Sequence, residues 1–412
     1  MKQAVIIIHG IGEKRPMETL RSFVKNIYHE EIIDENNFYS KPDTLSRLLE
    51  LRRLRIKGSR RTPTTDFYEF YWAHHMNNKN YRSILDWLKS FFFILPNKVD
   101  SKLLPFYFIG WILIISTIFL MFFSKVSLKM SLGASIILNF LFFKYIIGYV
   151  GDAAKYLNPS PNNIVQRNTI REDLLKLLKD LHESKKYTKI IIVGHSLGSV
   201  IAYDAIQLYW SKYLTHEPIG LNKQVIEEFK RNTKDIFDDA STSPDKKKHR
   251  YQEIQYKLGK ELRSVEFPWL VSDFISLGSP LTHRILLEKK KNDFLEKKRL
   301  GEYSVCPPYY KEKEWIYYET KGKNATIHFK SNAVFSCVRW TNIYFPHKYF
   351  FLGDFIGGPL SRNFGKGIRD LDVSLNGWTE KIWRCHILYW QKSKSLKNKK
   401  NPVRVLKNFM RL

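Results

Sequence analysis

Cysteine is scarce in this chain of 412 residues, which contains only three. They form no Cys-x-x-Cys pair and no cluster with histidine, so we expect neither a disulfide framework nor a structural zinc site. The sequence also lacks a Gly-rich phosphate loop and internal repeats. Residues 4–10, AVIIIHG, are too short for a cleavable signal peptide and run into a glycine turn, so they predict a first strand. A reducing compartment fits these features, and we expect no metal ion and no other cofactor.

Acidic residues are outnumbered, since 40 Asp and Glu against 68 Lys and Arg give a formal net charge of +28. Such a charge attracts anionic partners, either phospholipid headgroups or nucleic acid. The basic residues form no recognisable nucleic-acid-binding motif, so we expect no nucleic-acid partner and interpret the charge as favouring anionic membrane lipids. The sequence does not indicate an oligomeric state.

Two long apolar segments interrupt the chain. Residues 104–123, LPFYFIGWILIISTIFLMFF, carry no charge and are long enough to cross a bilayer as a helix. Residues 131–150 have a similar length but contain Asn139 and Lys144. We predict a transmembrane hairpin over 104–150; the alternative is a hydrophobic hairpin buried in a soluble domain. Because the flanks carry nearly all of the positive charge, the positive-inside rule places them on the cytoplasmic side of the membrane.

Strand and helix signals alternate on both sides of the predicted hairpin. The short runs AVIIIHG and KIIIVGHS are typical of parallel strands that are buried on both faces. Further strands are predicted by DFYEFYWAHH, DFISLGSP and AVFSCVRWTNIY, with helical periodicity between the strands. This alternation favours an α/β domain with a mostly parallel sheet and helices on both faces, built from residues 1–103 and 151–412. The charged, weakly periodic stretch at about 215–265 predicts an insertion or a lid.

The segment GHSLG, Gly194 to Gly198, follows one predicted strand and precedes the helical SVIAYDAIQLYW. It matches the pattern G-x-S-x-G, in which the serine occupies a strained turn and small neighbours let the strand and the helix approach. Such a turn exposes the hydroxyl of Ser196 as a nucleophile. The alternative is a strand-to-helix turn that contains a serine without a catalytic role.

A serine hydroxyl needs an adjacent base, usually a histidine that a carboxylate orients. In folds with this turn the chain order is serine, acid, histidine. His386 is the candidate base because it lies beyond the last predicted strand, and His283, at a strand end, is its main competitor. Asp354, in a Gly-rich loop after CVRWTNIY, is the candidate acid. Its rivals are Asp370, Asp372 and Asp273.

Attack on an acyl carbonyl builds negative charge on its oxygen, which backbone N–H groups must stabilise. One donor is the residue after the nucleophile, Leu197. The second is expected from the loop after the first strand, where Gly10 and Gly12 let the backbone turn so that the N–H of Ile11 points into the site. The side chain of Ile11 should therefore be replaceable. The residues that support the two turns are His9, Gly10, Gly12, Gly194, His195 and Gly198.

The chain resembles lipases and esterases of the α/β-hydrolase superfamily, specifically a membrane-embedded bacterial-type branch. The resemblance lies in elements that follow the family's order: HGIG, YEFYWAH, GDAAKYL, GHSLGSVIAYD, SLGSPL, RWTNIY, DFIGGPL and H-x-x-Y-W. It implies an α/β-hydrolase fold with a minimal core, since the two leading strands of the full fold are absent. Related sequences often have Asp-Pro where this chain has Phe345-Pro346 and then HKYFFLG before Asp354.

By the same resemblance, Ser196 matches the nucleophile, His386 the base, Asp354 the acid, and Ile11 with Leu197 the oxyanion donors. The implied protein is a membrane-anchored serine hydrolase that cleaves a lipid or another acyl ester through an acyl-enzyme. A thioesterase, an amidase or an acyltransferase is an alternative, because a triad fixes neither the leaving group nor the acceptor. An alternative of another class is a non-catalytic membrane scaffold that keeps the fold.

Overall fold

The described residues form an α/β fold, in which helices flank a mostly parallel sheet of eight strands. The computed structural model describes residues 2–412 except 13–14, 33–36, 47, 61, 77–91, 94, 100–103, 124–132, 134, 138, 140–155, 158–160, 215–217, 284–286, 289–290, 309–315, 322–323, 348–351, 376–382, 392–399 and 411. The side chains at 29–32, 98, 105–106, 120–123, 162, 317–321, 324–325 and 383–384 also lie outside the description.

The main sheet places β1 and β5 at its centre. Its strands are β1 (Lys2–Ile8), β2 (Phe38–Pro42), β3 (Arg52–Ile56), β4 (Thr64–Phe70), β5 (Lys189–His195), β6 (Val271–Leu277), β9 (Arg339–Tyr344) and β10 (Arg369–Asp372); β7 (Ile316–Lys321) and β8 (Asn324–Phe329) form a separate hairpin. The order across the sheet is β10-β9-β6-β5-β1-β4-β3-β2, and only the pairs of β3 with β2 and β4 are antiparallel. The carboxyl ends of β1 and β5 therefore lie side by side.

The central strands are continuous apolar runs because both of their faces are covered. In β1, Ala4, Ile6 and Ile8 belong to one buried cluster, whereas Val5 and Ile7 belong to another. Strand side chains alternate between the two faces of a sheet, so the two clusters are the cores above and below it. This explains why a β-branched run without polar alternation predicts these strands correctly.

Helices cover both faces of the sheet. The helices of the described residues are α1 (Glu18–Ile32), α2 (Leu104–Phe123), α3 (Pro161–Glu183), α4 (Leu197–Tyr213), α5 (Lys223–Asp238), α6 (Pro244–Ser264), α7 (Lys291–Leu300), α8 (Ser361–Phe364) and α9 (Pro402–Met410). Of these, α4 follows β5 directly and is buried over most of its length. The predicted alternation of strand and helix, with a mostly parallel sheet, is thus confirmed.

The charged stretch at 215–265 contains α5 and α6, which pack on each other. In α6, Tyr251 and Gln255 are fully buried. The side-chain amide of Gln255 donates to the carbonyl oxygens of Phe335 (2.7 Å) and Val338 (2.8 Å). This part of the predicted insertion therefore contributes to the core beside β9.

The last predicted strand is shorter than the pattern AVFSCVRWTNIY indicates. Its first part forms the 3-10 turn Val334–Ser336, and β9 begins only at Arg339. The next strand, β10, has no apolar run: it has the sequence RDLD and pairs with β9 at the edge of the sheet. An edge strand this short carries too few residues for a period to be recognised.

The first predicted membrane span coincides with α2. Of the second, 131–150, only residues 133, 135–137 and 139 are described, and Lys144 lies outside the described residues. The side-chain amide of Asn139 donates to Thr117 Oγ1 (2.6 Å), so polar contacts join the two segments. Nowhere in the described part of the chain does a helix combine the length and the apolar character that crossing a membrane requires. The transmembrane hairpin is not confirmed and stays a prediction.

Candidate active site

Ser196 lies in a strained turn between β5 and α4. Its backbone has φ 50° and ψ −127°, a conformation that residues with a side chain rarely adopt. The turn is held by backbone hydrogen bonds, from Ser196 N to Leu277 O (2.9 Å) and from Ser199 N to Ser196 O (2.9 Å). The neighbouring strand β6 and the first turn of α4 thus fix a conformation that the serine would not adopt alone.

The glycines on both sides of Ser196 are required by close packing. A Cβ added to Gly194 would lie 2.5 Å from the Cα of Ser199. A Cβ added to Gly198 would lie 2.4 Å from the carbonyl oxygens of Ile8 and His9. Only glycine therefore lets the start of α4 pack against the end of β1.

His386 connects Ser196 to Asp354 through two hydrogen bonds. His386 Nε2 lies 2.9 Å from Ser196 Oγ, and Nδ1 lies 2.8 Å from Asp354 Oδ2. With the carboxylate ionised, Nδ1–H donates to Asp354, which leaves the lone pair of Nε2 to accept the serine hydroxyl. Ser196 is only 2% exposed, so the exposed hydroxyl that the turn predicts is not found; His386 is buried as well, and Asp354 is 0% exposed. The structure thus brings together the three residues of the predicted triad.

The carboxylate of Asp354 is held by further donors. Tyr389 donates its hydroxyl to Oδ2 (2.7 Å), and the backbone N–H of Ile356 donates to Oδ1 (2.9 Å). Burial alone would raise the pKa of Asp354, but the charge of His386 and the hydrogen bonds on the carboxylate together outweigh burial. They hold the pKa well below the usual range of a carboxyl group. Asp354 is therefore a fixed negative charge behind the imidazole.

The rival acids are engaged elsewhere. Asp370 accepts two backbone N–H groups at the start of α8, at 2.8 and 3.0 Å, and holds that loop. Asp372 is exposed and forms an ion pair with Lys400. Asp273 forms an ion pair with Arg339 at 2.6 Å. The structure brings none of these carboxylates within hydrogen-bond distance of His386.

The rival histidine, His283, lies near the site without joining the triad. Its Nε2–H donates to the backbone carbonyl of Phe355 (2.8 Å), next to the acid. It therefore supports the loop that carries Asp354. The turn residue His195 has a comparable role, because its Nε2–H donates to the backbone carbonyl of His386 (2.7 Å).

The loop after β1 lies against the nucleophile. A Cβ added to Gly10 would lie 2.9 Å from the Cβ of Ser196, so this loop and the serine are in contact. Gly12 has φ +112°, which favours glycine. Leu197 is the first residue of α4, where the N–H has no intrahelical acceptor. The two predicted donors, the N–H groups of Ile11 and Leu197, thus belong to segments that flank Ser196.

His9 and Trp72 fix this loop, and the role of Trp72 was missed in the sequence. His9 Nδ1–H donates to Gly10 O (2.8 Å), and His9 Nε2 accepts the backbone N–H of Trp72 (3.3 Å). The indole N–H of Trp72 donates to His9 O (2.9 Å), and the two rings stack at 5.0 Å. No signal in the sequence pairs these residues, and the same is true of Tyr389 and Asp354.

Comparisons of the chain with family models, curated proteins and solved structures give no match.

Proposed function

We propose that the chain is a serine hydrolase of the α/β-hydrolase type that cleaves a lipid or another acyl ester. One observation carries the proposal: a continuous hydrogen-bonded chain runs from Ser196 Oγ through His386 to Asp354, and it starts at a strained turn. A structural serine needs neither the strain nor a histidine with a buried carboxylate behind it. A non-catalytic scaffold has no use for this combination.

The reaction follows from the contacts. Ser196 Oγ attacks the acyl carbonyl carbon while Nε2 of His386 takes the hydroxyl proton. Asp354 stabilises the resulting imidazolium and keeps its Nδ1–H in place. The oxyanion is stabilised by the N–H groups of Leu197 and Ile11. The imidazolium then protonates the leaving alcohol. In the second half of the reaction water attacks the acyl-enzyme while His386 takes its proton, and His386 returns that proton to Ser196 Oγ as the acid leaves.

Lipid contact is supported by the apolar surface of α2. Its exposed side chains include Phe108, Ile112, Ile115 and Phe119, which are 48–64% exposed. Their spacing of four, three and four residues places them along one face of the helix. On another side, Thr117 Oγ1 bonds to Ser135 Oγ at 2.7 Å. This division suits a helical hairpin whose polar groups face each other and whose apolar side chains contact lipid.

The proposed enzyme is thus membrane-anchored, with its catalytic domain on the cytoplasmic side and near anionic lipids. An anchor raises the local concentration of a lipid substrate at the site. The positive charge of the chain adds a short-range attraction to anionic headgroups.

The experiment is labelling with a fluorophosphonate probe, which phosphonylates activated serines. Detergent-solubilised wild type should label, Ser196→Ala should not, and His386→Ala and Asp354→Asn should label far more slowly. Asp372→Asn is the matched control, because it removes an exposed carboxylate that lies in a surface ion pair. Ile11→Ala should label as wild type does, whereas Gly10→Ala should not, since its Cβ meets Ser196.

Labelling of Ser196→Ala at the wild-type level, or equal losses in Asp354→Asn and Asp372→Asn, would contradict the assignment. Before detergent is added, the labelled wild type should sediment with membranes. Recovery of the labelled protein in the soluble fraction would contradict the anchor while leaving the hydrolase proposal intact.

A further inference from the structure

Three side chains of the kinds that bind transition metals converge beside the carboxyl end of β4, and none of them belongs to the triad. His74 and His75 lie in the 3-10 turn Ala73–Met76 that follows β4, and Asp173 lies on α3. One potential ligand atom from each of the three lies within 4.8 Å of the other two. The closest contact joins His75 Nε2 to Asp173 Oδ2 at 2.9 Å.

His74 distinguishes this cluster from an ordinary histidine–aspartate pair. Its Nδ1 is buried and has no hydrogen-bond partner among the described residues. Buried polar atoms are nearly always paired, so an unpaired imidazole nitrogen needs an explanation. Its ring lies beside that of His75, with the centroids 3.8 Å apart. A cation that accepts a lone pair from each imidazole would balance the charge of Asp173, and ligation through Nδ1 of His74 would satisfy this nitrogen.

The dimensions suit a first-row divalent ion. At tetrahedral angles, metal–nitrogen and metal–oxygen bonds of about 2.1 Å place two ligands of one ion about 3.4 Å apart. A pair at the 4.8 Å limit of the cluster must therefore close by about 1.4 Å, whereas His75 Nε2 and Asp173 Oδ2, at 2.9 Å, must separate by about 0.5 Å. Side-chain rotation can supply this movement, because His75 and Asp173 are partly exposed, at 17% and 25%.

We propose that His74, His75 and Asp173 bind a divalent transition-metal ion such as Zn²⁺, with a water molecule as the fourth ligand. Two imidazoles and one carboxylate form a borderline donor set, which suits Zn²⁺ and its neighbours, whereas Mg²⁺ and Ca²⁺ prefer oxygen ligands alone. The site lies outside the proposed catalytic machinery, and the proposal does not depend on the hydrolase assignment.

A bound ion would link the turn after β4 to α3. In the sequence these two elements precede and follow the segment that contains α2. The turn also contacts the loop after β1. Tyr71 stacks on His74 with the centroids 5.6 Å apart, and it lies 5.4 Å from the ring of His9. Metal binding should therefore stabilise the fold and raise the thermal midpoint.

The test is calorimetric titration of Zn²⁺ into untagged, chelator-treated and dialysed protein in detergent. We expect one ion per chain with micromolar or tighter affinity and at least tenfold weaker binding in His74→Ala and in Asp173→Asn. Mg²⁺ in excess should not compete. His249→Ala is the matched control, because His249 forms an exposed pair with Glu253 on α6 and should leave binding unchanged.

Absence of saturable Zn²⁺ binding, wild-type affinity in His74→Ala, or an equal loss in His249→Ala would each overturn the proposal. If His74→Ala does not fold, His74→Gln takes its place, because its amide keeps a polar group of similar reach. Co²⁺ gives a readout on the wild type itself. When Co²⁺ is added to the wild type in place of Zn²⁺, we expect the intense visible absorption bands of a four-coordinate ion. The weak absorption of hydrated Co²⁺ alone would overturn the proposed site.

Discussion

Among the described residues, two aspartates, Asp354 and Asp66, are completely buried, and they differ in which groups neutralise their charge. Both accept a tyrosine hydroxyl, from Tyr389 (2.7 Å) and from Tyr187 (2.6 Å) respectively. The pKa of each carboxyl is lowered, although burial alone would raise it. In side-chain type and burial, the two environments are alike.

Their charged partners differ. Asp66, in the first half of β4, forms two hydrogen bonds with Arg55, at 2.6 and 3.0 Å, and an ion pair with Lys2 at 3.1 Å. These cations keep their charge at neutral pH. Asp354 lies in the loop that follows β9, at the carboxyl ends of the parallel strands. Its basic partner is the imidazole of His386. An imidazole can gain and lose a proton near neutral pH.

The difference separates a carboxylate that stabilises the fold from one that fits the proposed catalytic role. Permanent cations complete the charge balance around Asp66, so no proton needs to move there. Among the described residues, Asp354 gains a cationic partner when His386 takes a proton, and the hydroxyl of Ser196 lies within hydrogen-bond distance of Nε2 to supply it. The buried charge of Asp354 therefore suits the proposed proton transfer from Ser196, whereas the buried charge of Asp66 favours the folded state.

The strongest test of this contrast exchanges both carboxylates for amides. Asp354→Asn should lower kcat for a chromogenic acyl ester by about 10⁴-fold, because the amide favours the wrong tautomer of His386. Asp66→Asn should leave kcat per folded molecule within about threefold, since Asp66 touches no residue of the triad. Ester hydrolysis, normalised to the folded fraction from circular dichroism, measures both values. Equal losses in the two variants would remove the distinction.

Sequence alone predicts the parts of this site that rest on local geometry. The apolar runs of β1 and β5 require burial on both faces, and GHSLG requires small residues at a tight turn. Chain order adds His386, although its 3-10 turn, Trp383–Ile387, has no helical or strand period. The sequence pattern does not separate Asp354 from its rivals, because an acid in a glycine-rich loop carries no period at all.

The rest depends on contacts between distant positions. Trp72 and His9 are 63 residues apart, and Tyr187 and Asp66 are 121 apart, so neither pair leaves a local pattern. The charged, weakly periodic sequence of 215–265 predicts an insertion or a lid, yet Gln255 of α6 is fully buried. A buried glutamine that bonds to backbone carbonyls interrupts the apolar stripe by which core helices are recognised.

A smaller effect is expected on stability, and here the variant with the marked effect is that of Asp66. At pH 7, Asp66→Asn should lower the free energy of unfolding by about 3 kcal/mol, because it leaves several cations around a buried neutral amide. The lowered pKa of Asp66 means that its contribution is fully present above the unfolded-state pKa of about 3.9 and is lost as the pH falls through the folded-state pKa.

The difference in unfolding free energy between wild type and Asp66→Asn should therefore shrink below about pH 4. Chemical unfolding in detergent at pH 7 and at successively lower pH values measures it. A difference that stays constant over this range would show that Asp66 stabilises the fold through packing and not through its charge.

The smallest effect concerns the two tyrosines, whose hydroxyls bind the two carboxylates. Tyr389→Phe should lower kcat by about tenfold with KM unchanged, equivalent to about 1.4 kcal/mol, because the hydroxyl positions Asp354 without touching substrate. Tyr187→Phe should leave kcat unchanged and lower the unfolding free energy by about 1–2 kcal/mol. Steady-state kinetics and chemical unfolding on the same preparations separate these outcomes.

If Tyr389→Phe changes stability and not kcat, the hydroxyl only fills a hydrogen-bonding position in the core. Asp354 would then be oriented by its backbone donor and by His386 alone, and the resemblance between the two buried carboxylates would extend to their tyrosines.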